Sequence, residues 1–117
     1  MDANEVVLGG ELTEIEALRH TPAGIPLIHF KLVHRSRQVE AGYKRQVECE
    51  INGVAMAEAA LAIGRLKAGQ AVRVGGFLNR KNRMSKQLML HAIEIAISEE
   101  GQHAISTTQR TQGQGQG

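Results

Sequence analysis

The sequence predicts an all-β domain, a small five-stranded barrel with a helical or irregular segment between its third and fourth strands. Three observations predict it. Apolar and polar residues alternate with period two from Ile28 to Arg37 and again from Tyr43 to Ile51, the pattern of strands that bury one face. The pairs Gly9–Gly10 and Gly75–Gly76 lie inside strand-like stretches, where glycine weakens a regular strand but allows the bends by which small sheets close. A single alanine-rich stretch, MAEAALAIGRLK, interrupts the β pattern once. At 117 residues the chain reads as one domain, able to bury about two thirds of its unfolded surface.

Strand one spans about Glu5 to Leu18, bent or bulged at Gly9 and Gly10. A loop from His20 to Pro26 follows, rich in turn formers. Strand two then sets Ile28, Phe30 and Leu32 on one face and His29, Lys31, Val33, Arg35 and Arg37 on the other. The chain turns at Ala41 and Gly42 and returns as strand three, in which Tyr43, Arg45, Val47, Cys49 and Ile51 alternate with Lys44, Gln46, Glu48 and Glu50. From Val54 to Lys67 the composition favours a helix, with Asn52 as its cap and Ala55, Ala59, Ile63 and Leu66 on one face. Strand four covers about Gln70 to Asn79, the loop RKNRMSK follows, and strand five covers Gln87 to Ile97. Residues 1–98 make the domain. The remainder, 99–117, lacks the apolar content to offset ordering entropy and ends in a Gln/Gly run, so a disordered tail is expected there. Five strands in this order, with the helix between the third and fourth, match the OB-fold, a partly open Greek-key barrel.

The net charge of +2 conceals an uneven distribution. Glutamates stand early at Glu5, Glu11, Glu14 and Glu16, whereas Arg35, Arg37, Lys44 and Arg45 gather around the strand two to three turn and Arg80, Lys81, Arg83 and Lys86 fill the strand four to five loop. Polyanions are the natural partners of such clusters. An OB-fold holds oligonucleotides on the face of strands two and three and on the loops between strands one and two and between four and five, and both clusters fall there. Cys49, the one cysteine, excludes an intrachain disulfide; its strand phase places it in the core, and a reducing cytoplasm is expected. No apolar run approaches the roughly 20 residues that cross a bilayer, so no membrane partner is expected.

Several stretches carry a more specific signal: TPAGIP at Thr21–Pro26, HRS at His34–Ser36, EAGYKRQ at Glu40–Gln46, GF at Gly76–Phe77, MSK at Met84–Lys86 and LH at Leu90–His91. Together they resemble the primosomal replication protein N, or PriB, family, relatives of bacterial single-stranded DNA-binding protein. The resemblance covers about residues 5–98. It implies a homodimeric OB-fold protein that is not an enzyme. Such a protein binds single-stranded DNA and works with the restart helicase PriA and other primosome proteins. Carried over by position, it implies DNA contacts at Arg19, Arg35, Lys44, Arg45 and Lys86, with Tyr43 as the aromatic at the hairpin tip. Glu48 stands where a family member has a stacking tryptophan, which removes a platform and adds a charge that repels phosphate.

Aromatic residues are scarce: Phe30 shares the core face, Phe77 follows a glycine pair, and Tyr43 is the candidate platform for a base. Most of the affinity is therefore expected from phosphate contacts, which position a strand without reading its bases. The five histidines lack metal-ligand spacing and one cysteine cannot complete a zinc set, so neither metal nor cofactor is expected. No nucleophile with its base, P-loop or dinucleotide fingerprint is present. Two rival readings share these residues, an OB-type RNA-binding module and a protein-interaction adaptor with residual DNA binding. The dimer that the resemblance implies is expected to pair through strand one, with Val7 and Ile15 available, the alternative being that the tail covers this exposed edge.

Overall fold

The structure is a computed structural model and describes residues 2–98. The tail expected from residue 99 onward lies outside the described residues. Among the described residues seven elements follow one another: β1 (Val6–Ile15), β2 (Arg19–His20), β3 (Pro26–Glu40), β4 (Tyr43–Met56), α1 (Ala57–Gly64), β5 (Ala71–Arg80) and β6 (Leu88–Ile97). The strands form one sheet in the order β1-β5-β6-β4-β3-β2, and a further pairing of β1 with β3 closes it. Five strands thus make the barrel, and β2 is a two-residue addition that pairs with Leu27 and Pro26 across the expected first loop. The β4–β6 pairing is parallel and all others are antiparallel, so the expected OB-fold barrel is the fold observed.

Period-two patterning decides what is buried. Leu12, Ile28, Leu32, Ile63, Val72, Val74 and Leu90 have almost no exposed surface, and Phe30 joins them in the core. Helix α1 packs against β3, β4 and β6, with Ala60 and Ile63 buried beneath it. Gly76 lets β5 approach β6, because a Cβ there would overlap the carbonyl oxygen of His91. At the same place the ladder slips: Gly75 faces Glu94 but Gly76 faces Ala92, so Ile93 of β6 is the extra residue of a bulge beside the glycine pair at which a bend is expected.

Several expectations are corrected. Gly9 and Gly10 stay in register with Arg73 and Val72, and the irregularity of β1 falls between Leu12 and Glu14, where the strand passes from β5 to β3. Strand β1 is shorter than predicted at both ends. Ile15 is packed against the core rather than available at an edge, whereas Val7 is 58% exposed. The helix begins at Ala57 and not at Val54. Asn52 does not cap it but pairs with Lys31 inside β4, and Met56 precedes the helix in an extended conformation without a side-chain cap. The reason is tertiary: β6 pairs with Gly53, Val54 and Ala55, and this second ladder outweighs the helix propensity of alanine. Cys49 is exposed. It faces His34, one pair beyond the last β1–β3 partner Val33, where the second layer that would bury it has ended.

Candidate nucleic-acid interface

Strands β3 and β4 pair without interruption from Leu27–Met56 to Glu40–Tyr43, and they outrun the barrel. β1 leaves β3 at Val33, while β6 accompanies β4 only from Gly53 to Ala55. From His34 to Glu50 the hairpin is therefore a two-stranded ribbon, and no residue in it is buried. Its turn places Ala41 at φ 52° and Gly42 at φ 82°, the two left-handed residues of a type I′ turn, whose twist matches that of the strands. An isolated ribbon is marginally stable. This one is tied to β1 by a chain of hydrogen bonds. His34 Nδ1–H donates to the Gly9 carbonyl at 2.7 Å, which leaves Nε2 to accept the Ser36 hydroxyl at 2.7 Å. The Gln38 amide donates to the same Oγ at 2.9 Å.

The cations of the ribbon divide into two classes. Arg35 Nε lies 3.3 Å from Glu48 across the hairpin, and Arg45 Nε lies 3.2 Å from Glu40. Nearer the barrel, Lys31 Nζ stands 3.6 Å from both Glu14 and Glu50. Exposed pairs of this kind contribute about 0 to 1 kcal/mol, so a phosphate can displace the acid, but each displacement costs part of the phosphate's gain. Arg37 and Lys44 make no ion pair among the described residues and are available outright. Tyr43, 70% exposed, lies with Arg45 on the opposite face of the ribbon from Arg35, Arg37 and Lys44.

The second cluster occupies the β5–β6 loop. Lys81 N–H donates to the Gln87 carbonyl at 2.9 Å and closes it, Ser85 N–H reaches the Asn82 carbonyl, and Met84 N–H reaches Asn82 Oδ1 at 3.0 Å. The Arg80 guanidinium donates to the Arg83 carbonyl at 3.3 Å. The loop is thus bonded to itself, with Met84 at its tip 94% exposed and Lys81, Arg83 and Lys86 free of acids among the described residues.

Register shows which sites come together. Leu90 lies beside Gly53, so the start of β6 and the basic loop stand beside the base of the ribbon, roughly 25 Å along β4 from Tyr43 at about 3.3 Å per residue. Arg19 pairs with Leu27 at the opposite end of β3, roughly 40 Å along that strand from the tip. Arg35, Arg37, Tyr43, Lys44 and Arg45 thus share the ribbon, Arg80, Lys81, Arg83 and Lys86 adjoin its base, and Arg19 stands apart. Sequence reasoning missed the acids that pair with Arg35 and Arg45. A two-residue turn fixes the register, so Glu48 opposite Arg35 follows by counting back from Ala41 and Gly42.

Sequence reasoning also missed a ring pair on the outer face of the barrel. Phe77 of β5 and His91 of β6 are cross-strand partners whose rings stack with centroids 4.8 Å apart and planes 9° from parallel. Burial pushes the His91 imidazole below its ordinary pKa. The available signal was the alternation of β6, since Leu90 and Ala92 face the core and His91 must face outward.

Comparison with known proteins agrees with this geometry. Residues 4–94 match a family described as another single-strand binding protein family. The chain is 41% identical over 97 residues to the replication restart protein PriB of Nitrosomonas europaea, across 83% of this chain and 90% of that one. Its fold superposes on PriB from Ralstonia solanacearum with a TM-score of 0.76 at 31% identity, covering 82% of this chain and 98% of that one. The small single-stranded DNA-binding protein from Streptomyces coelicolor shares the fold at a TM-score of 0.66 and 18% identity, over 85% of this chain and 96% of that one.

Proposed function

The chain belongs to the single-strand binding protein family that includes the PriB replication restart proteins, and on that premise we propose that it binds single-stranded DNA during replication restart, without catalysing a reaction. In this reading residues 1–98 form the DNA-binding domain. The ribbon residues Arg35, Arg37, Tyr43, Lys44 and Arg45 and the loop residues Arg80, Lys81, Arg83 and Lys86 hold the strand, and Arg19 contacts it at the far end of β3. The protein works in the cytoplasm as a homodimer that pairs through β1 near the exposed Val7, and it stimulates the restart helicase PriA. The observation that carries the DNA reading is the placement of two cation clusters on the ribbon and on the adjoining loop, with Arg37, Lys44, Lys81, Arg83 and Lys86 free of acidic partners among the described residues. Flexible single strands follow such a track, and their phosphates release counterions to it.

The test is a titration of a labelled single-stranded oligonucleotide at several salt concentrations, with duplex DNA and matched RNA as competitors. Preference for single-stranded DNA, with a log-log salt slope of about −0.7 per neutralised phosphate, supports the reading. Preference for RNA moves the protein to ribonucleoprotein work on the same surface. The ion pairs at Arg35 and Arg45 favour a second reading, an adaptor whose DNA binding is residual. Under it, replacing Arg80, Lys81, Arg83 and Lys86 by alanine leaves PriA stimulation intact; loss of stimulation together with DNA binding removes that reading.

A further inference from the structure

The stacked rings on the barrel lie among apolar neighbours that the core does not use. Val54 and Met89 are buried, yet both belong to the outward phase of their strands: Val54 pairs with His91, and Met89 sits two residues before His91 on the same face. Neither is part of the central core cluster. Phe77, His91, Val54 and Met89 therefore form a separate apolar shelf across β5, β6 and β4. Phe77 and His91 are half-buried. Three ladder steps beyond Phe77 and His91, Arg80 pairs with Leu88 and the basic loop begins, roughly 10 Å away.

Resting on the single-strand reading above, we infer that the Phe77–His91 pair is a base-stacking platform, on which nucleobases lie while the adjoining loop cations hold their phosphates. Any base offers a π face, so the platform adds affinity without sequence preference. Its chemistry suits neutral bases. The imidazole, depressed in pKa by burial, is uncharged at neutral pH and behaves as a second flat ring. The construction also explains the bulge: Gly76 brings β5 against the His91 carbonyl, and the slip between Gly75 and Gly76 sets Phe77 opposite His91.

The experiment compares an oligothymidylate with an abasic oligomer of the same length, which keeps the phosphates and removes the bases. Phe77→Leu retains apolar bulk without a ring, and it is expected to weaken oligothymidylate binding by about tenfold while leaving abasic binding unchanged. Equal weakening for both oligomers, or none for either, overturns the platform. Phe77→Trp keeps a ring in place and introduces the chain's only tryptophan, since the sequence contains none. Its emission is expected to be quenched by oligothymidylate and not by the abasic strand, and identical responses overturn the proposal. If the unmodified protein binds neither oligomer at low salt, the single-strand reading fails first and the platform falls with it.

Discussion

The barrel and the ribbon are built from one continuous hairpin, yet they obey different rules. Below Val33 and Glu50, β3 and β4 gain β1 and β6 as neighbours, and Ile28, Phe30, Leu32 and Ala55 enter a core with almost no solvent exposure. Above that line the same strands keep the same alternation, but neither face is covered, so phase no longer determines burial. Cys49 and Val47 show the change, since they continue the apolar phase of Ile51 into a region with nothing to pack against. The lesson is that stability resides in one half of the hairpin and charge in the other, and each can be altered separately.

The largest effect expected from breaking this separation is in the barrel. Leu32→Ala empties a site with no exposure and is expected to cost about 2 to 5 kcal/mol in denaturant unfolding. Val39→Ala, at a 72% exposed ribbon position, is expected to stay within about 0.5 kcal/mol. Comparable losses at both positions would show that the ribbon is covered in solution.

The reverse asymmetry is expected in DNA binding. Glu48→Trp removes the acid paired with Arg35 and adds a stacking surface, worth about 1 to 3 kcal/mol of tighter single-strand binding in an anisotropy titration. Glu48→Gln separates the two contributions, because it frees Arg35 without adding a ring; a severalfold gain and a steeper salt slope are expected. No change in either variant, with the fold intact, would mean that this face of the ribbon is not the DNA track.

Acid sharpens the comparison from the barrel side. The folded pKa of His91 lies below its unfolded value near 6.5, so the folded state binds the proton less readily than the unfolded chain. Its contribution to stability is present above pH 6.5 and is lost as pH falls from there through the depressed folded value. Thermal melts of the native protein should therefore decline faster below pH 6.5 than those of His91→Phe. Parallel curves would assign the acid loss to other groups.

The smallest effect concerns the ribbon tip. Ala41 occupies the left-handed region, in which alanine pays a steric cost that asparagine largely avoids. Ala41→Asn creates the Asn-Gly pair that type I′ turns prefer. A gain of about 0.5 to 1 kcal/mol in chemical unfolding is expected, with unchanged DNA affinity; a loss would show that the turn is held by something other than its own dihedrals.

Much of the fold is legible in the sequence. Alternation over Ile28, Phe30 and Leu32 identified the buried face and Ala41–Gly42 located the turn, because each depends on one or two neighbouring residues. The cation clusters were equally plain, since charge is carried by residue type, although their action on DNA rests on the proposal and its tests. Other features depended on partners distant in sequence. The helix start moved from Val54 to Ala57 because β6 claimed Gly53 to Ala55. Cys49 stayed in solvent because β1 ended one pair earlier. The Phe77–His91 stack required a slip between two strands. By itself the sequence determined the strands, the turn, the core face and the positions of charge. Where each strand acquires and loses its neighbours was decided only by the tertiary structure, because burial and pairing depend on which distant segments close the barrel.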